Sequence, residues 1–148
     1  MKYDAYTGLI ANEDYSIFDF TSTGKNGLIN KRAEFTLTEM DNVYNLAFGD
    51  VDKDGMINDY IISDNGDRNK ILGTIVDIIK LYTEKFPDRW ILFRGSTEER
   101  TRLYRMAVGI NLEELSKIFS IVAIVNGVIH AFKKNMAITA FLVKRKIT

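Results

Sequence analysis

Apolar and polar residues alternate with a period of two through much of the first half of the chain. That period is typical of half-buried β-strands. Lys25-Asn26-Gly27 supplies positive-φ residues for a tight hairpin, and Asp52-Lys53-Asp54-Gly55 supplies a second turn. The predicted strands are Tyr15 to Thr21, Lys31 to Thr38, Val43 to Val51 and Met56 to Ser63. The first half therefore predicts a meander of about four strands.

After these strands, the spacing of apolar residues changes to that of an α-helix. From Asn69 to Phe86, apolar residues recur at intervals of three and four, and Pro87-Asp88 ends the predicted helix. The short apolar run from Trp90 to Phe93 predicts a central strand with both faces buried. Ser96-Thr97-Glu98-Glu99 has the spacing of a capping box, so Ser96 is the expected N-cap of a helix from Thr97 to about Val108.

The final third returns to strands. Phe119 to Val125 and Val128 to Phe132 flank Asn126-Gly127, a strong hairpin signal, and Ala137 to Val143 predicts a last strand. Together the patterns predict an α/β (α+β) fold with a mixed, mostly antiparallel sheet of about six to eight strands and two main helices. We expect residues 1–148 to form a single domain.

Composition excludes several kinds of site. The 148 residues include no cysteine, which excludes disulfides, thiolate catalysis and zinc sites that use sulfur. The longest apolar stretch, Ile118 to Val125, is far shorter than the ~20 residues that a membrane-spanning helix needs. The first residues, Met1 to Tyr6, lack the charged and apolar blocks of a signal peptide. We therefore expect a cytoplasmic protein without a membrane partner.

Charge is distributed unevenly along the chain, although the formal net charge is zero. Residues 1–67 hold 13 Asp and Glu against 5 Lys and Arg, a net charge of −8, so residues 68–148 carry +8. Such a split can create a surface field that attracts an anionic partner, unless folding interleaves the two halves.

The arginine-rich helix start after Phe93 is the most distinctive chemical feature. Arg100 falls on the same helix face as Leu103 and Tyr104, whereas Arg102 and Arg105 point away from that face and are expected to be solvated. A charge aimed at the core requires a partner, so Arg100 pairs either with an acidic residue of the first half or with an anionic ligand. Helix N-termini favour phosphate, and a glycine lets a ligand approach closely. The candidate ligand-binding residues are Gly95, Ser96, Thr97, Arg100 and Arg102.

Asp50-Val51-Asp52-Lys53-Asp54-Gly55 matches the beginning of a calcium loop, with Asp50, Asp52 and Asp54 as the candidate ligands. The twelfth position is Ile61 where a bidentate glutamate belongs, and the flanks read as strands. A hairpin turn explains the same residues, so we expect no metal.

Two further segments have alternative interpretations. Asp64 to Asn69 lies where a phosphate-binding loop would open the long helix, but its single glycine and two aspartates favour a helix-capping turn. The clusters Lys133-Lys134 and Lys144-Arg145-Lys146 have the charge to contact nucleic acid, but no aromatic residues are interleaved with them. Such clusters are usually solubilising strand ends. His130, the only histidine, lies in a predicted strand, so a Ser-His-Asp triad is not expected.

Three segments resemble a family of small bacterial proteins catalogued as a domain of unknown function. They are Asn65-Gly66-Asp67, the run from Gly95 to Met106 written as GSTxxRTRLYRM, and Phe141-Leu142-Val143. The resemblance covers nearly the whole chain. It implies no activity and assigns no catalytic residue.

The order of elements is also similar to that of the GCN5-related N-acetyltransferases. In that superfamily the second helix often carries a Leu-Tyr pair whose tyrosine acts as general acid on coenzyme A, and Tyr104 is the matching residue. The family's glycine-rich pyrophosphate loop would fall at Asp64 to Asn69, where this chain has too few glycines. The resemblance therefore implies a similar fold with weakened or lost acetyl-coenzyme A binding.

Three functional hypotheses follow. The preferred one is a binding or accessory module that recognises an anionic group, phosphate or nucleic acid, at the arginine-rich helix start. The second is a divergent acyltransferase that uses Tyr104, and the third is a structural or oligomerising protein. We expect no cofactor and regard an enzyme as the less favoured class, and the sequence leaves a homo-oligomer open.

Overall fold

The computed structural model of the protein describes residues 2–58, 64–95, 97–133 and 136–147. Within them the chain forms nine strands and three α-helices. The strands are β1 (Ile10–Ala11), β2 (Ile17–Gly24), β3 (Gly27–Leu37), β4 (Val43–Val51), β5 (Ile57–Asn58), β6 (Trp90–Phe93), β7 (Phe119–Val125), β8 (Val128–Ala131) and β9 (Ala140–Arg145). The helices are α1 (Arg68–Lys85), α2 (Glu98–Ile110) and α3 (Leu112–Ile118).

The described strands belong to one mixed, mostly antiparallel sheet. Their order is β1-β2-β3-β4-β6-β9-β7-β8, and β5 pairs with β4 outside this path. The pair β4 and β6 is parallel. Because parallel neighbours need a long crossover connection, α1 lies between these two strands in the chain. The predicted fold class is confirmed.

The chain divides into two compact units. One unit, called here the N-terminal unit, consists of Lys2–Thr36 and Ala47–Tyr82. The other, called the C-terminal unit, contains Leu37–Leu46 and Thr83–Thr148.

Aromatic packing forms the core of the N-terminal unit. Phe18, Phe20 and Phe35 occupy alternating positions on β2 and β3, and all three are buried. Tyr82 of α1 stacks on Phe35 with ring centroids 3.7 Å apart. Phe20 lies between Tyr6 and the ring of Phe48. The period-two pattern of the sequence thus places one face of this hairpin against α1.

The core of the C-terminal unit lies between α2 and the strands β7 and β9. Ala123 and Phe141 are fully buried, and Tyr104 and Val108 of α2 pack against them. Phe93 of β6 contacts the ring of Tyr104 with a centroid distance of 4.6 Å. The helix therefore covers the sheet face that carries Phe93, Ala123 and Phe141.

Several predicted elements match the structure closely. β4, β6 and β7 have the predicted bounds, and the predicted helix over 69–86 is observed as α1. The hairpin at Asn126-Gly127 is confirmed, since both residues have positive φ, 50° and 80°. Asp52 to Gly55 connects β4 to β5 in a hairpin, also as predicted.

Other boundaries and elements differ from the predictions. Thr97, and not Ser96, is the N-cap of α2, which begins at Glu98 and extends to Ile110. β9 begins three residues later than the predicted last strand. The sequence did not predict α3 or β1. Of the predicted strand Met56 to Ser63, β5 is observed, and residues 59–63 lie outside the described residues. With β1 included, the described residues form a sheet of nine strands, one more than the upper end of the expected range of six to eight.

None of the described helices is both long enough and apolar enough to cross a membrane.

Candidate functional site

The start of α2 is closed by side chains of its own first turn. Thr97 has extended backbone geometry, with φ −134° and ψ 162°, and its hydroxyl accepts a hydrogen bond from the Arg100 backbone N–H at 3.2 Å. Thr101 is buried, and its hydroxyl accepts from the Gly95 N–H at 3.0 Å. The cap thus satisfies a donor that a bound anion would otherwise contact.

Gly95 is required by the close approach of the chain to this first turn. A Cβ atom at Gly95 would lie 2.5 Å from Arg100 Cβ and 2.5 Å from the Thr101 backbone nitrogen. Real Cβ atoms do not approach other heavy atoms so closely, so any other residue here must displace the turn. Gly95 therefore allows the chain to approach the first turn of α2 closely, where the sequence had suggested the close approach of a ligand. Ser96 lies outside the described residues.

The arginines of this region have different environments. Arg94 and Arg102 are exposed, whereas Arg100 is half-buried. Arg105 is also half-buried, and its Nη1 donates to the Met136 carbonyl at 2.7 Å. The prediction that Arg105 is merely solvated is wrong, because this bond attaches the segment that precedes β9 to α2.

Tyr104 lies among core side chains. Its ring packs against Phe93 and against the cluster formed by Ala123, Ile138 and Phe141. These contacts give Tyr104 a packing role that is independent of chemistry at its hydroxyl. The acyltransferase hypothesis for this residue stays a prediction.

The three aspartates of the calcium-like loop have separate roles. Asp50 is buried in β4 and forms an ion pair with Lys31 of β3, which is also buried. Asp52 Oδ1 accepts from the backbone N–H groups of Asp54 and Met56, so this carboxylate closes the hairpin turn. Nowhere in the described ranges do three or more His, Asp or Glu side chains group in a way that could hold a metal ion. The hairpin turn thus accounts for Asp52, and the ion pair with Lys31 accounts for Asp50.

A buried polar cluster in the N-terminal unit was not predicted. Asp67, just before α1, accepts through Oδ2 a hydrogen bond from the Tyr6 hydroxyl and one of 2.5 Å from the Ser22 hydroxyl. Ser22 is fully buried and in turn accepts from Asn65 Nδ2 at 3.0 Å. The other carboxylate oxygen, Asp67 Oδ1, is buried and has no hydrogen-bond partner. Four side chains from three separate segments of the chain thus share one network.

Strand register provided the signal that could have located Ser22 of this cluster and, separately, the buried Lys31. Lys31 alternates with Ala33 and Phe35 on β3, so it belongs to the face that packs on the core. Ser22 follows Phe18 and Phe20 on the buried face of β2 in the same way. Polar residues at apolar register positions indicate buried partners.

The turn before α1 is hydrogen-bonded to the turn between β2 and β3. Asn65 Oδ1 accepts from the Asn26 N–H at 2.6 Å, and the Gly66 N–H donates to Asp64 Oδ1 at 3.0 Å. The hydrogen bond from Gly66 holds the pKa of Asp64 below its ordinary value, and Lys25 contributes to the same shift. These contacts define a turn, and the helix-capping interpretation of its residues stays a prediction.

Comparison with known proteins relates the chain to one family. A family of unknown function, DUF6934, matches residues 2–146. The chain belongs to this family. The match to DUF6934 includes residues of both compact units and confirms the resemblance to a family of unknown function. No curated protein and no solved structure shows significant similarity to the chain. Membership of DUF6934 assigns no activity, so a function has to be argued from the side chains described above.

Proposed function

We propose that this protein is a binding module that recognises an anionic group, phosphate or nucleic acid, with the basic side chains around the start of α2. The contributing side chains are Arg100 and Arg102, with the exposed Arg94 beside them, while Gly95 and Thr97 shape the start of the helix. The observation that carries the proposal is the bond from Arg105 to Met136, because it links two basic segments that are far apart in sequence.

That bond brings α2 close to the segment after β8. Arg102 precedes Arg105 by three residues, so the two lie on neighbouring positions of one helix face. Lys133 is exposed and lies three residues before Met136. This contact supports the proposal that basic groups of α2 and of the segment after β8 act together on one anionic ligand. A cluster of this kind attracts phosphate groups more strongly than isolated lysines do.

The division of charge between the compact units also supports the proposal. The C-terminal unit holds 12 Lys and Arg against 8 Asp and Glu, a net charge of +4. The N-terminal unit holds 8 against 12, a net charge of −4. The asymmetry seen along the sequence thus persists between compact units, although it is smaller.

The first turn of α2 also contains two acids. Glu98 and Glu99 are exposed, and they oppose an anion placed directly on the helix axis. The contact is therefore expected through arginine side chains beside the axis. Arg102 is the most informative residue to change, since it is exposed and its loss leaves the core intact.

The test measures polyanion binding by fluorescence anisotropy at several salt concentrations. Labelled polyphosphate and a labelled oligonucleotide serve as probes. Arg102→Gln is compared with Lys117→Gln, a matched control in α3 that removes one exposed positive charge from the same compact unit. We expect Arg102→Gln to weaken binding several-fold. It should also reduce the slope of log K against log salt concentration by about one, and the control should show neither change.

Binding of neither probe at low salt would contradict the proposal. Equal losses for Arg102→Gln and Lys117→Gln would show that the net charge, and not the start of α2, determines binding. Competition by inorganic phosphate would identify a small phosphate group as sufficient.

A further inference from the structure

The only tryptophan of the chain lies beside a lysine of the closing strand. Lys144 Nζ is 5.7 Å from the centre of the Trp90 ring, and both side chains are half-buried. This distance is near the outer limit of about 6 Å for a cation–π contact. By contrast, the Arg89 guanidinium lies 3.7 Å from the Phe86 ring and 4.1 Å from the Tyr44 ring. The cation–π contact between Lys144 and the Trp90 ring is therefore weak.

Strand register places these residues on the sheet face opposite α2. β6 and β9 pair with Leu92 opposite Leu142, and side chains two residues apart on a strand share a face. Trp90 therefore shares a face with Leu92, and Lys144 shares that face with Leu142. Phe93 and Phe141, which contact α2 or its core cluster, alternate with them on the other face. Ser120 of β7 pairs with Lys144 and extends the row.

Positive charge lies at both ends of this face. Lys144 and the exposed Lys146 lie near Trp90, and the exposed Arg94 follows β6 at its other end. At about 3.3 Å per residue, the four steps from Trp90 to Arg94 span roughly 13 Å, about the length of two nucleotides of an extended strand. An aromatic ring between cationic groups is the arrangement by which sheets bind single-stranded nucleic acids.

We propose that the β6–β9 face binds single-stranded nucleic acid, with a base stacked on Trp90 and the flanking phosphates held by Lys144 and Lys146 at one end and by Arg94 at the other. This inference goes beyond the proposed function, because the β6–β9 face lies on the opposite side of the sheet from α2. The sequence lacked aromatic residues interleaved with the cluster Lys144-Arg145-Lys146. The tertiary structure supplies the aromatic ring from β6.

The arrangement predicts how the ligand would enter. A base approaching Trp90 takes the position over the ring that Lys144 Nζ now occupies, and the released ammonium contacts a phosphate. Stacking does not depend on which base is present, because every base has a π-face. Duplex nucleic acid is expected to bind less well, since its bases are already stacked within the helix.

Trp90 reports this contact directly, because no other tryptophan contributes to the emission. The experiment titrates the full chain with an unlabelled short oligothymidylate and follows tryptophan fluorescence, with a duplex of the same length and polyphosphate as comparison probes. Stacking should quench the emission with oligothymidylate, whereas polyphosphate should bind with little quenching.

Variants of Trp90 and of Lys144 test how much each residue contributes to oligothymidylate binding. Trp90→Leu should weaken oligothymidylate binding about tenfold in an anisotropy assay and leave polyphosphate binding unchanged, and Trp90→Phe should restore most of the affinity. Lys144→Gln should weaken binding of the oligonucleotide more than the control Lys117→Gln does. Because Lys144→Gln keeps the aromatic core contacts, it tests the inference even where Trp90→Leu fails to fold.

The outcomes separate this inference from the proposed function. Binding of oligothymidylate without quenching, or without loss in Lys144→Gln, would overturn the stacking face while leaving anion recognition at α2 intact. Equal affinity for duplex and single strand would overturn it as well. Binding of no polyanion at all would contradict both proposals.

Discussion

The buried polar residues of the N-terminal unit show how single side chains connect distant segments. Tyr6, Ser22 and Asp67 belong to the N-terminal segment, the β2 strand and the start of α1. Their hydroxyl and carboxylate groups meet in one network in which Asp67 Oδ2 is the shared acceptor. Removing the acceptor leaves the buried Ser22 hydroxyl without this partner, whereas the Tyr6 hydroxyl can still donate to the Thr23 carbonyl. A buried donor that loses its acceptor costs more free energy than the bond itself contributes.

We therefore predict that Asp67→Ala lowers the free energy of unfolding by about 1–3 kcal/mol, because the buried Ser22 hydroxyl loses its acceptor and the Tyr6 hydroxyl loses one of its two acceptors. Asp67→Asn keeps an acceptor oxygen and should lose less. Urea denaturation measures both changes. Glu84→Ala, an exposed acid of α1, serves as the control and should stay within about 0.5 kcal/mol of the natural chain. A loss in Asp67→Ala no larger than in the control would show that the network does not stabilise the fold.

The ion pair between Lys31 and Asp50 shows what register predicts and what it leaves open. The alternation of β3 is enough to place Lys31 on the buried face. Its partner on β4 depends on how two strands are paired, which no local pattern determines. A buried charge thus predicts that an oppositely charged partner exists, but it does not predict which residue that partner is.

At the scale of elements, strong local signals gave correct predictions. Asn126-Gly127 fixed the β7–β8 hairpin because both residues readily adopt positive φ. The apolar run of β6 fixed that strand because turn residues bound it on both sides. α3 was missed because it has only seven residues and follows α2 after the single residue Asn111. A helix so short depends on tertiary packing, here the burial of Leu115.

The start of α2 shows one sequence signal with two physical interpretations. A glycine before a helix allows close approach either of a ligand or of the chain itself. The structure shows approach of the chain, since Gly95 lies against Arg100 and Thr101. The sequence predicted Ser96 as the N-cap, whereas the backbone geometry and the hydroxyl contact identify Thr97.

Gly95→Ala should therefore destabilise the chain by about 1–3 kcal/mol, because the added methyl group overlaps the first turn of α2. Thr97→Ala removes the cap without steric overlap and should cost about 1 kcal/mol. Thermal unfolding compares the two variants. Unchanged stability in Gly95→Ala, combined with weaker polyanion binding, would assign the glycine to ligand contact instead.

At the scale of the whole molecule, the ends of the sheet are unequal. At one end β1 has only two residues. At the other end β8 has four residues, all exposed, with Val128 56% and Ile129 62% accessible. An exposed apolar edge strand can pair with another chain, whereas a charged residue in it opposes such pairing.

We predict that Ile129→Lys reduces concentration-dependent self-association of the chain and changes its melting temperature little, because Ile129 contributes little buried area. Analytical ultracentrifugation over a range of concentrations measures the association. Met56→Lys, which places the same charge at another exposed apolar position, is the control. If both variants associate as the natural chain does, the β8 edge takes no part in self-association.

The sequence by itself determined most of the elements, because hydrophobic period, hairpin glycines and capping residues act over a few neighbouring positions. It also determined where charge is concentrated along the chain. Only the tertiary structure decided which residues meet: Asp67 with Tyr6 and Ser22, Lys31 with Asp50, and Trp90 with Lys144. These contacts join residues 19 or more positions apart, and they follow from strand order and register. Strand order is set by the burial of the whole chain at once, which no local pattern contains.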